Sequence, residues 1–166
     1  MAKNKTWVWA VLIVVALAVL FGWNAVPTYL KNKPVIAAWN DAGVNCLPGG
    51  HTALDASRGS HVHQQLLIKV DGASENLTGD MGIVPGCMAE VHVHSDTANK
   101  LHVETLTKDR KIMFGQFFAV YGKPMMRDGY NMMMKVNGVD YTGNPAELIL
   151  EDKQEIELNY TKTAAE

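Results

Sequence analysis

A small, mainly β (or α+β) domain with one short helix, carried behind an N-terminal transmembrane helix, is the architecture this 166-residue sequence predicts, and three observations predict it. Residues 7–26 (WVWAVLIVVALAVLFGWNAV) carry no charge, and ~20 apolar residues at a rise of ~1.5 Å each span a bilayer core. From Ser60 onward the pattern is of short strands, punctuated by Asp71-Gly72 and Asn137-Gly138, the residue pairs that type I′ hairpin turns demand. Only residues 113–121 (MFGQFFAVY) read as a globular helix, closed by Gly122 and Pro124 in the expected stop order.

Taken in order, the uncharged run has Trp7, Trp9 and Trp23 near its two ends, where amphipathic rings prefer the membrane interface. A cleaved signal peptide is the rival, but its apolar region is shorter, ~7–15 residues, and ends at a small-x-small site. Trp23-Asn24-Ala25 puts Trp at the first small position, which favours an uncleaved anchor. Most of the chain follows the run, so the expected placement is single-pass in the cytoplasmic membrane, with the C-terminal domain in the periplasm or at the cell exterior. Pro34 breaks any long helix after the anchor, and residues 40–59 are rich in turn formers. The chain therefore divides into an anchor (1–26), a stalk and loop (27–59, which includes His51), a β-rich domain (60–160) and a polar tail (161–166). Within the domain, residues 75–78 read as a weak strand, GDMGIVPGC as a loop, and AELILEDKQEIELNY as two strands around residues 151–154. LIKVDG and MMKVNG resemble each other, which reads as convergent turn chemistry rather than a duplicated hairpin.

A net charge of −2 with both signs mixed gives no nucleic-acid footprint. Cys46 and Cys87 are few but even in number, and outside the cytoplasm they suit a disulfide. It would tie the segment leaving the membrane to the loop before His92. The alternative, thiolate ligation of copper or zinc, needs both thiols kept reduced.

The chemistry concentrates in HVHSDTANKLHVE. Read as a hairpin with His94 opposite His102, it sets His92 opposite Glu104 and Asp96 opposite Lys100, leaving a three-residue loop of common length. Side chains alternate faces along a strand, so Val91, Val93, Leu101 and Val103 line the other, core-facing side. His61 and His63 repeat the i, i+2 spacing on a preceding strand, so five of the six histidines fall in three short strands. Neutral imidazoles with a carboxylate are a ligand set for divalent first-row metals. The expected ligands are His92, His94 and His102, with Glu104 as the fourth, joined by His61 and His63 if their strand neighbours the hairpin. Asp96 is expected as a turn residue or as the partner that fixes an imidazole tautomer. Affinity at nitrogen sites favours copper, with zinc second. The bland alternative is a solvent-facing polar ladder. Thioethers in Met125-Met126 and Met132-Met133-Met134 would suit Cu(I), but Met is also a flexible core filler. No nucleophile motif such as Gly-x-Ser-x-Gly appears, so no catalytic residue is assigned and the reading leans away from an enzyme.

The order of these features resembles a family of membrane-anchored, extracytoplasmic bacterial and archaeal proteins. In that family a His-x-His strand is followed by a Gly-Ile loop with a Cys, a His-x-His-x-Asp hairpin ending in His-x-Glu, and a Gly-Gln-Phe-Phe helix. Here the matching residues are His61 and His63, Gly82-Ile83, Cys87, His92, His94 and Asp96, His102 and Glu104, and 115–118, within about residues 60–122. Tyr121 stands where the family pattern has Trp, and the hairpin loop lacks a glycine. The resemblance implies an extracytoplasmic location and a metal site. Together with the residues it points to a tethered carrier or buffer of copper or zinc serving a membrane-protein partner. The competing class is an accessory or interaction subunit of a membrane complex, with a structural ion or none.

Overall fold

The computed structural model describes residues 28–47, 59–77 and 79–164. The proposed membrane anchor and His51 lie outside the described residues, and among the described residues no helix is long and apolar enough to cross a membrane.

The first described element is helix α1 (Thr28–Asp41), with Pro34 inside it. Proline there removes one N–H from the helix; the turn beyond it is anchored by burial of Ile36 and Trp39, three residues apart. Val44 and Leu47 are also buried, so the part of the expected stalk described here packs on the domain. Strand β1 (Cys46–Leu47) joins β5 (Cys87–Ala89) and β4 (Ile83–Val84) in a three-stranded antiparallel sheet. A disulfide links Cys46 to Cys87 across β1 and β5. Cys87 thus sits in a strand, and part of the segment expected to be a loop, Ile83 and Val84, is paired.

The larger sheet runs in the order β6-β7-β2-β10-β8-β9, made of β6 (Val91–His92), β7 (Lys100–Thr105), β2 (Ser60–Val70), β10 (Glu155–Lys162), β8 (Tyr130–Val136) and β9 (Val139–Asp140). Strand β3 (Ala73–Glu75) folds back on β2. Neighbours pair antiparallel except β2 and β10, which run parallel. Both predicted turns form: Asp71 and Gly72, and Asn137 and Gly138, all have positive φ, as type I′ requires. Each turn also grips an end of β10. The Asn137 side chain accepts from the Glu155 N–H, and the Asp71 side chain from the Lys162 N–H. This common task is a structural reason for the repeated Lys-Val-Asx-Gly. The weak strand expected at 75–78 is the shorter β3, and of the two strands expected near the C-terminus only β10 forms. Asn144 instead caps a 3-10 turn at Pro145–Glu147, leaving Ile149 a single bridge to Met113.

Helix α2 (Phe114–Tyr121) ends at Gly122 in the left-handed conformation. Phe117 and Phe118 pack with Phe114 in the core, with ring centroids 5.3–6.2 Å apart. A Cβ at Gly115 would come within 2.9 Å of the Ala146 carbonyl, so the residue admits the 3-10 turn. The Gln116 amide donates to the Ala42 and Gly43 carbonyls, fastening the end of α1 to the start of α2. The core lies between this helical layer and one face of the larger sheet, where Leu66, Ile68, Leu101, Ile156 and Leu158 are buried.

Candidate metal centre

The histidines converge because three adjacent strands present them in register. His63 pairs with His102 across β2 and β7, and His102 with His92 across β7 and β6, giving one rung of three imidazoles. His61 pairs with Glu104 on the next rung. The β2 histidines therefore do reach the hairpin. The hairpin itself is slipped by two residues from the expected register: His92 faces His102, not Glu104, and His94 lies beyond the paired strand. A slip of two keeps every side chain on its face, so the cluster survives while its cross-strand partners change. The cause is a longer loop: Lys100 N–H bonds Thr97 O, Asn99 takes positive φ, and its carbonyl and side chain receive the Leu66 and Leu77 N–H groups.

His102 is the hub. Its ring centroid lies 4.5 Å from that of His63, 4.7 Å from His94, 5.4 Å from His92 and 5.8 Å from His61. Two groups have donor atoms all within 4.8 Å of one another, His92 with His94 and His102, and His61 with His63 and His102. His92 Nε2 and His94 Nε2 are 3.1 Å apart. Two nitrogens bound ~2.0–2.1 Å from one ion lie about 2.9–3.4 Å apart at right-angled to tetrahedral geometry, so this pair is spaced as ligands are. Glu104 Oε1 lies 3.2 Å from His61 Nε2 and 3.9 Å from His92 Nε2.

The protonation states suit a cation. His92 Nδ1 donates to the Ala89 carbonyl at 3.0 Å, which leaves Nε2 turned toward His94 and Glu104 as the coordinating atom. Burial, reinforced by His63, His94 and His61, pushes His102 down to about 4. Burial, then the neighbouring His61, also lowers His63. Both are neutral at pH 7 and offer lone pairs. The site is sheltered as well: His92 and Glu104 are 0% exposed, while the His61 side chain is 44% exposed. A solvent-facing ladder would not bury its carboxylate. Taking a carboxylate out of water costs several kcal/mol, a cost a divalent cation beside it would offset.

Asp96 is exposed in the loop, outside both groups. The carboxylate beside His94 belongs to Asp80, whose Oδ1 accepts from the Ser95 N–H at 2.8 Å, an interaction that lowers the Asp80 pKa. The tautomer-fixing contact found for His92 is a backbone carbonyl. Sequence reasoning also missed buried Glu90, which accepts from the Asn45 N–H and from Arg110, whose guanidinium also donates to Gly43 O. This clamp holds the α1–β1 junction against the start of β6, and no spacing pattern marks it. The methionines lie elsewhere: Met134 is core, while Met126 and Met133 are exposed. Comparison of the chain with protein-family models, curated proteins and solved structures returned no match.

Proposed function

We propose that this chain is a membrane-anchored, extracytoplasmic metal-binding protein that carries or buffers copper, with zinc as the second candidate ion. The observation carrying the proposal is the convergence of five imidazoles and a wholly buried carboxylate from three paired strands and the loop after β6. Neutral nitrogen donors favour copper over zinc by intrinsic affinity. The Cys46–Cys87 disulfide agrees with an oxidising compartment, and the uncharged run at residues 7–26 supplies the anchor. Exposed His61 and half-buried His63 give an ion a way in, and buried His92 and Glu104 give it a place to stay. A membrane tether raises the effective concentration of such a carrier near a membrane partner.

The test is elemental analysis of the full chain, exported to an oxidising compartment and purified without a metal-affinity tag. Stoichiometric copper or zinc, absent from a variant carrying both His92→Ala and His94→Ala, is the expected result. A folded, metal-free protein indifferent to added copper and zinc would overturn the proposal. Chelation then separates a carrier from a structural site, since a carrier gives up its ion and stays folded.

A further inference from the structure

We infer that the cluster is a two-ion site, with an outer station formed by His61 and His63 and an inner one by His92 and His94, His102 and Glu104 lying between them. The inference rests on the metal-binding reading above and deepens it. The two donor groups share His102 alone. A single ion with ligands at ~2.1 Å can hold donors no more than about 4.2 Å apart, so one ion centred in either group does not gather both private pairs as they stand.

The shared residues are placed for division. His102 Nδ1 lies 3.5 Å from His61 Nε2, whereas its Nε2 lies 3.4 Å from Thr97 Oγ1, in the loop that follows His94. The two nitrogens of the hub thus face different neighbours, and ligating an ion through each would make His102 an imidazolate, its ring N–H proton passing to solvent. Glu104 Oε1 is likewise near one nitrogen of each station, 3.2 Å from His61 Nε2 and 3.9 Å from His92 Nε2. Charge is distributed the same way. Each station has one acidic side chain on its outer side, held by backbone near it and outside both donor groups: the His63 N–H donates to Asp152 Oδ1 at 3.0 Å, and the Ser95 N–H to Asp80 Oδ1 at 2.8 Å. The stations differ in access, the outer pair being exposed to half-buried and His92 fully buried. An ion would enter at the outer station and pass inward by exchanging onto His102 and Glu104.

The experiment is a titration of the metal-free full chain with Zn(II) in competition with a chromophoric chelator, on the wild type and on His63→Ala and His94→Ala. Both substituted residues are half-buried, and circular dichroism checks their folding. Two equivalents in the wild type, falling to one in each variant, is the expected result. A single equivalent in the wild type overturns the two-ion site but leaves the metal-binding function standing. Two equivalents with neither substitution removing one places the second ion elsewhere and also overturns it. No binding at all overturns both readings.

Discussion

Removing the disulfide is expected to cost stability without dismantling the metal centre. Cys46 and Cys87 are 41 positions apart, and closing a loop of that length restricts the unfolded chain by about 13 cal/mol/K, or about 4 kcal/mol at 25 °C. For a chain of this size that is a fall in Tm on the order of 10 °C. The cross-link joins β1 to β5, whereas the histidines stand on β2, β6, β7 and the loop after β6. A variant with both cysteines changed to Ser should therefore unfold at lower urea with a somewhat steeper slope, since the uncross-linked denatured chain exposes more surface, yet bind the same metal equivalents while folded. Urea unfolding followed by circular dichroism, with and without the ion, reads both quantities. An unchanged midpoint would refute the chain-restriction argument, and loss of metal from the folded variant would refute the independence of the site from β1.

Gly82 has φ +80, and a Cβ there would meet Val120 Cγ1 at 2.8 Å, the Val91 carbonyl at 2.9 Å and His92 Cβ at 3.0 Å. Gly82→Ala should destabilise by about 2–4 kcal/mol, measured by urea unfolding, and weaken metal affinity by displacing His92. Glu75 is held down to about 2, chiefly by its bonds from Arg127 and with help from Tyr121 and Lys123. Because its folded pKa lies below the unfolded value, this contribution is present above about pH 4.5 and fades as pH falls toward 2. Allowing for its partial exposure, it is worth about 1–2 kcal/mol, and Glu75→Gln should flatten that part of the acid-unfolding curve. Phe117→Ala, which empties a wholly buried position, should cost about 3–5 kcal/mol by the same unfolding assay.

What was legible in the sequence was what short-range rules govern. The two Asx-Gly turns, the Gly122 stop and the alternation that puts five histidines on one face each follow from a few neighbouring residues. What was not legible depends on distant partners. The His92–His102 register is set by Asn99 receiving bonds from Leu66 and Leu77, and no local pattern distinguishes it from a register two residues away. Helix α1 has little amphipathic character of its own, and burial of Ile36 and Trp39 in the core accompanies its packing. The 3-10 turn stands where a strand was expected because the Asn144 side chain accepts from the Ala146 N–H and Pro145 has no N–H to give a ladder.

The position of β10 bears on how the chain can be made. The last strand in the sequence is a middle strand of the sheet, parallel to β2 on one side and antiparallel to β8 on the other, held at both ends by Asp71 and Asn137. Strands separated by some ninety residues cannot pair until the later one has been made, and such non-local pairing is slow. We expect the half-made chain to stay unlocked until residues 155–162 arrive. A chain cut before Glu155 would leave β2 and β8 as open edges, ready to pair with other chains.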